Sequence, residues 1–202
     1  MASPSGGSRR SLLTAPTDWT ALAKSLARLP RRASRATHLR RAAVLVVLRD
    51  EGDLGPAALF TRRPDTLRAH PGQISFPGGS IGEGESVVDA ALREAEEEVG
   101  IPRDAVETLG LLHDIDTSTG FLLTPVVARM TRDVELRLHA AEVARAFTAP
   151  LRTLSERLEV KAMKHGEREY QVPFFAFDGE TIWGATGRVL VDLMKVMEML
   201  PS

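Results

Sequence analysis

The chain has 202 residues, 43% hydrophobic and 26% charged, with a formal net charge of −1 at pH 7. It is long enough for one sizeable core and too short for two full domains with linkers, and its near-neutral balance excludes a general nucleic-acid binder. Cysteine is absent, which removes disulfides, thiol nucleophiles and cysteine metal sites.

Residues 1–16, rich in Ser, Gly and Pro, read as a disordered tail ahead of one domain spanning 17–202. Ser8-Arg9-Arg10 superficially suggests an export signal, but the polar stretch 14–25 stands where an apolar region is required, so a cytoplasmic protein is expected. Asp18 caps a short helical extension carrying Trp19, Leu22, Leu26 and Leu29 on one stripe and closed by Pro30. Residues 42–48 form a continuous apolar strand of the buried type and 57–61 a second, joined by the DEGDLGP turn.

A basic cluster follows: Arg62, Arg63, Arg68 and His70 precede the turn Pro77-Gly78-Gly79. Small residues there allow close backbone approach, their amides can face oxyanions, and arginine is suited to bidentate phosphate contact. Arg63, Arg68, His70, Gly78 and Gly79 are therefore the candidate substrate-binding residues.

Ser86 with Asp89 begins a helix, and Gly100 followed by Pro102 ends it. Val88, Leu92, Ala95 and Val99 recur as its buried stripe, and Glu94, Glu97 and Glu98 gather on another face. Like charges at this spacing destabilise an isolated helix by roughly 0.2–0.5 kcal/mol per pair. A hard divalent cation, Mg²⁺ or Mn²⁺, would compensate through oxygen ligands and would bridge to phosphate. With acidic helix and basic loop adjacent, a pyrophosphate is the ligand that suits both.

Farther on, 107–113 and 121–129 read as strands, and 142–148 is ambiguous between helix and strand. Residues 170–177, the Asp178-Gly179 turn and 181–183 suggest a hairpin. A terminal helix turns Leu190, Leu193, Met194 and Met197 inward. Strands interleaved with few helices argue an α+β fold whose mixed sheet is covered on both faces. No apolar run approaches a membrane span. His38, His113, His139 and His165 lack metal spacing and are set aside, and Phe174, Phe175 and Trp183 read as core. Glu142 is either a ligand or base from outside the acidic helix, or a surface carboxylate at a strand edge.

Residues 79–101, GSIGEGESVVDAALREAEEEVGI, fit GX5EX7REUXEEXGU (U apolar) at every constrained position. A chance match in one window has a probability on the order of 10⁻⁹. The segment resembles the signature box of the Nudix hydrolases. Residues 59–79, LFTRRPDTLRAHPGQISFPGG, resemble the second signature of the coenzyme A pyrophosphatase branch, LLTxR[SA]x3Rx3Gx3FPGG, with two departures. Phe60 replaces Leu, and Pro64 stands where Ser or Ala is usual, fixing φ and removing a donor. Weaker likeness extends from Ala42 to the end of the chain.

The resemblance implies a Nudix α/β/α sandwich with a mixed β-sheet, the box helix on one face and the C-terminal helix on the other, and it assigns 142–148 to strand. It implies metal-dependent attack of water on the pyrophosphate of coenzyme A and its thioesters, giving 3′,5′-ADP and 4′-phosphopantetheine or its acyl form. By the same resemblance Arg93, Glu94, Glu97 and Glu98 are catalytic. Glu94 and Glu98 are the principal metal ligands, Glu97 is a further one directly or through water, and the Gly79 region is a source of a carbonyl. Arg93 would orient a glutamate, and Glu85 would act near the cluster or in loop structure. The implied partner is a small molecule, with no nucleic acid, no membrane and room for a homodimer. Two alternatives stand beside this: hydrolysis of another nucleoside diphosphate derivative such as ADP-ribose or a dinucleotide, and a non-catalytic ligand sensor, against which the intact RE and EE pairs argue.

Overall fold

The apolar run at 42–48 lies at the centre of strand β1 (Arg40–Asp50), where side chains on both faces are buried. The structure, a computed structural model, describes residues 17–67, 69–166 and 168–200; the tail expected at 1–16 and the candidate residue Arg68 lie outside the described residues. Ala43, Leu45 and Val47 of β1 point into one core, and Val44, Val46 and Leu48 into the other. At about 1.5–3 kcal/mol per fully buried large apolar side chain, this double burial anchors the sheet.

One edge of β1 pairs in parallel with β7 (Phe121–Met130), in register from Arg40↔Phe121 to Leu48↔Arg129. Its other edge is divided. Near the turn, β2 (Pro56–Arg62) pairs antiparallel from Leu48↔Ala58 to Asp50↔Pro56. Beyond that the two strands part, and the segment after β2 fills the gap: β3 (Ile74–Ser75) pairs with Arg62 and Thr61, and β4 (Gly78–Ser80) with Val44 to Ala42. β5 (Val106–Leu111) and β6 (Ile115–Asp116) follow one another along the other edge of β7, and β8 (Arg145–Pro150) takes the far edge of β2. Together these described strands make a mixed eight-stranded sheet.

Helix α1 (Trp19–Arg28) is capped as expected, Asp18 Oδ1 accepting from the Ala21 N–H at 2.9 Å, with Leu22 and Leu26 buried. Helix α2 (Val87–Val99) begins at Ser86, whose Oγ accepts from the Asp89 N–H at 3.1 Å, and ends at Gly100 with φ of 72°. A short helix α3 (Leu151–Glu156) leads from β8 into β9 (Leu158–His165), β10 (Arg168–Phe177) and β11 (Glu180–Ile182), which form a separate antiparallel sheet. Asp178 and Gly179, at φ of 51° and 76°, make the two-residue turn between β10 and β11. Helix α4 (Gly184–Val196) buries Leu190, Leu193 and Met194 against the face opposite α2, with Met197 packed beside them. The chain thus has the expected sandwich of helices on a mixed sheet.

Several expectations require correction. The buried stripe of α2 is rotated toward Ala90, Ala91, Ala95, Glu98 and Val99, while Val88 and Leu92 pack at its flank. The alanines are small, so the helix sits close to β1. The strand expected at 107–113 ends at Leu111, because the chain turns to the segment after α1: Asp114 accepts from the Ser34 N–H, pairs with Arg31, and donates its own N–H to the Arg32 carbonyl. The strand expected at 142–148 begins only at Arg145, since the amides of Glu142 and Val143 both bond the His139 carbonyl in a turn. Trp183 is 42% exposed, stacked on Phe174, not in the core; Phe175 is fully buried.

Gly100 both ends α2 and lets a later segment approach it. A Cβ there would lie 3.0 Å from Arg137 Cβ and 3.1 Å from Arg137 N, in a backbone conformation that favours glycine. Gly100→Ala should lower unfolding free energy by about 1–2 kcal/mol in urea denaturation; an unchanged midpoint would show that the contact is slack.

Candidate functional site

The site forms where the underside of α2 meets the bare backbone of β4. A Cβ on Gly78 would lie 2.3 Å from the Ala43 carbonyl oxygen, and one on Gly79 within 2.6 Å of both Glu94 carboxylate oxygens. Hydrogen at Gly78 lets β4 lie against β1, and hydrogen at Gly79 leaves room for the Glu94 carboxylate to rest on the strand. Glu98, 6% exposed, accepts from the Gly78 N–H at 3.3 Å through Oε2.

Arg93 organises the rest. Its Nε and Nη2 donate to Glu85 Oε1 and Oε2 at 2.9 and 3.1 Å, a bidentate pair, and Nη2 also donates to the Ser80 carbonyl at 3.1 Å. Nη1 donates to Glu94 Oε1 at 2.8 Å and to Glu97 Oε2 at 3.1 Å. Glu85 in turn accepts from the Gly82 N–H at 2.9 Å, which fixes the loop entering α2. These bonds hold the Glu85 carboxyl below its ordinary range and the Arg93 guanidinium above its own.

Glu98 shows the opposite behaviour. Burial pushes its carboxyl up to about 7; the Gly78 amide opposes the shift, the neighbouring Glu94 and Glu142 add to it, and Arg63 opposes it. Glu142 is brought near by the segment after β7. The Arg137 N–H bonds the Val99 carbonyl, the His139 N–H bonds the Glu98 carbonyl at 2.9 Å, and Val143 is buried against the α2 core. Glu142 itself lies 3.2 Å from His139 Nδ1. Its place in a turn on the α2 face, and not on a strand edge, was hidden in sequence because the contact spans more than forty residues.

Among the described residues no three carboxylates or imidazoles converge closely enough to hold one ion together: Glu94 and Glu98 lie against β4, whereas Glu97, 59% exposed, is turned to Arg93. The donor set nevertheless fits a hard divalent cation. It is all oxygen, its negative charge exceeds what Arg93 and one amide compensate, and the most buried member carries the raised carboxyl.

The adjacent arginines of the basic cluster separate, as alternation along a strand end requires. Arg62 is bound to Asp65 at 2.8 Å and to Glu180 at 3.4 Å and is a structural clasp. Arg63 lies within electrostatic reach of Glu98, and its Nε is buried with no hydrogen-bond partner among the described residues. Its N–H bonds the Gln73 carbonyl, which closes the loop. His70 is exposed in that loop at φ of 54°, and no described contact joins it to the carboxylates. The structure therefore brings Arg63, Gly78, Gly79, Arg93, Glu94, Glu97 and Glu98 together, leaves His70 apart, and does not describe Arg68.

Residues 38–178 match the NUDIX domain family. The chain is 37% identical over 148 residues to the uncharacterized Nudix hydrolase NudL of Photorhabdus laumondii subsp. laumondii, covering 71% of this chain and 79% of that one. It is 36% identical over 168 residues to NudL of an Enterobacter species, covering 80% and 85%. The Nudix hydrolase RenU of M. smegmatis shares the fold, with a TM-score of 0.55 at 16% identity over 81% of this chain and 88% of that one. The chain belongs to the Nudix family, as a pyrophosphohydrolase of nucleoside diphosphate derivatives, and this family generally works with a divalent cation. No helix among the described residues is long and apolar enough to cross a membrane.

The buried Glu98 makes the cation-free fold sensitive to pH. Burial pushes its carboxyl up to about 7 from an ordinary 4.5, so the fold is unburdened below 4.5, loses stability as pH rises from 4.5 to 7 and levels off above that. In EDTA, thermal melts of wild type should fall relative to Glu98→Gln across that window, by an increment on the order of 3 kcal/mol at most. Added Mg²⁺ should reverse the difference. Parallel profiles in EDTA would remove Glu98 as the strained group.

Proposed function

We propose that the chain hydrolyses the pyrophosphate bond of coenzyme A and its thioesters with Mg²⁺ or Mn²⁺, yielding 3′,5′-ADP and 4′-phosphopantetheine or its acyl form. The observation that carries the reading is Arg63. It lies in the loop bearing the second signature, at residues 59–79, within electrostatic reach of Glu98, and its buried Nε has no hydrogen-bond partner among the described residues. A guanidinium beside an anionic cluster suits a ligand that is itself anionic and shared between them, which describes a diphosphate.

In this reading Glu94 and Glu98, joined by Glu97, would hold the cation. The bound ion supplies charge neutralisation at the diphosphate oxygens and acidifies water. Arg63 would align the diphosphate, and Arg93 positions Glu94 and Glu97 without touching substrate. One water is consumed, one P–O bond of the P–O–P bridge breaks, and two phosphomonoesters leave. Glu142 lies close enough to act on Glu98 electrostatically and is available to accept the proton of that water.

Pro64, the departure from the signature, sits where its carbonyl accepts from the Leu67 N–H at 3.3 Å, inside a turn clasped by Arg62 and Asp65. Proline at 64 fits this turn, whose bond uses the carbonyl of residue 64.

Two outcomes test this function. Purified protein incubated with coenzyme A, ADP-ribose and NADH should release 3′,5′-ADP from coenzyme A only with Mg²⁺ or Mn²⁺, and Glu98→Gln should lower turnover by orders of magnitude while remaining folded. Full turnover in excess EDTA, or no turnover of coenzyme A beside rapid turnover of ADP-ribose, would overturn it. Separately, Arg63→Ala removes a charged contact worth roughly 1.5–3 kcal/mol, so kcat/KM for coenzyme A should fall about 10- to 150-fold. Pro64→Ser should change KM modestly and leave the metal requirement intact.

A further inference from the structure

On the α4 side of the main sheet, away from α2, lies a cavity of about 560 Å³ between the segment after α1, the β5–β6 connection, β10 and α4. This volume is within the range of small-molecule sites. None of its lining belongs to the carboxylate site.

Its polar groups are left available in a particular way. Arg188 and Asp192 are four residues apart on α4, a spacing at which they could pair, yet no ion pair joins them among the described residues. Arg188 instead donates one bond, from Nη1 to the Asp116 carbonyl at 3.2 Å, and Asp192 has no partner among the described residues. The Arg32 guanidinium, also lining the cavity, is likewise without a partner among the described residues. His113 Nδ1 accepts from the Arg32 N–H at 3.0 Å, so the neutral ring carries its proton on Nε2 and presents a donor there. Pro173, buried, and Val191 supply apolar wall. The cavity thus offers two guanidiniums and an imidazole N–H to an anion, and the carboxylates of Asp192 and Asp116 to hydroxyl or amino donors.

We propose that this cavity is a second, non-catalytic binding site for a small organic phosphate that also carries hydroxyl or amino groups, of the size of a sugar phosphate or nucleoside monophosphate. An anion alone would satisfy Arg32, Arg188 and His113 but leave Asp192 and Asp116 facing it with like charge. A neutral polyol would satisfy the carboxylates and leave the guanidiniums unmatched. A phosphate ester bearing hydroxyls answers both sets. The inference is independent of which diphosphate the catalytic site cleaves.

The test is calorimetric titration in EDTA, where cation-dependent binding at α2 and hydrolysis are both suppressed, with ribose 5-phosphate, adenosine 5′-monophosphate and inorganic phosphate as probes. Wild type should bind the two esters saturably and more tightly than inorganic phosphate. Arg188→Ala and Arg32→Ala should each weaken the esters about tenfold or more, and Arg188→Lys, which keeps charge without the planar fork, should fall between. Asp192→Asn should weaken ribose 5-phosphate while sparing inorganic phosphate. Both arginines are exposed, so circular dichroism and melting of the variants should match wild type. Four results overturn the proposal: no saturable binding of either ester up to about 10 mM; unchanged affinity in Arg188→Ala; binding abolished by Arg63→Ala but kept in Arg188→Ala, which places the ligand in the catalytic site; or inorganic phosphate binding as tightly as the esters.

Discussion

The approach of α2 to backbone that carries no side chain is the constraint on which this molecule turns. Gly78 lies against β1 and Gly79 lies under the Glu94 carboxylate, so a methyl group at either would collide within 2.6 Å of its neighbours. The close approach is possible only because β1 and β2 pair for three residues and then separate, leaving room for β3 and β4 to wedge between them. Ala90, Ala91 and Ala95 meet the requirement from the other side, keeping the helix low on the sheet. Sheet topology, helix composition and the glycines are three solutions to one steric demand. Its product is a carboxylate, Glu98, held in a place where charge is costly.

Much of this was legible in the residues, and what was not has a common cause. The ends of α1 and α2 follow from Asp18, Ser86 and Gly100, whose capping chemistry is local. The central strand follows from an apolar run too short for a helix with caps, and the β10–β11 turn from Asp178-Gly179. The box spacing placed Glu94 and Glu98 on a shared helix face. By contrast, which residues lie deepest depends on which are small enough to touch β1, so periodicity alone places Ala95 and Val99 but gives Val88 and Leu92 in place of Ala90 and Ala91. β9 escaped notice because most of its residues are exposed, Val160 at 57% and Met163 at 41%, and a strand wet on both sides leaves no alternating signal. The position of Glu142 rests on a turn around the His139 carbonyl and on two amides bonded to the end of α2, interactions between distant segments that no local pattern carries. Arg62 and Arg63 look equivalent as a dipeptide; only the strand end under them, and the acids at 65 and 180, send one to a clasp and the other to the site.

The same geometry separates two roles for charge around α2. Arg93 is bound to three glutamates, but unequally. Its contact with Glu97 is exposed, and exposed pairs of this spacing contribute only about 0.3–0.5 kcal/mol. Its contact with Glu85 is bidentate, and Glu85 is anchored again by the Gly82 amide, so this pair is the fixed end of the arrangement. Glu94 lies between, bound to Nη1 yet resting on Gly79. A competing cation would therefore draw away Glu97 at little cost and Glu94 at moderate cost, while Arg93 stayed pinned to Glu85 and the Ser80 carbonyl. An arginine in this position keeps the glutamates apart and oriented when they would otherwise repel, and yields first those it holds by a single bond. Lysine could not do this: a single ammonium cannot make a bidentate pair and also hold two further carboxylates in fixed directions.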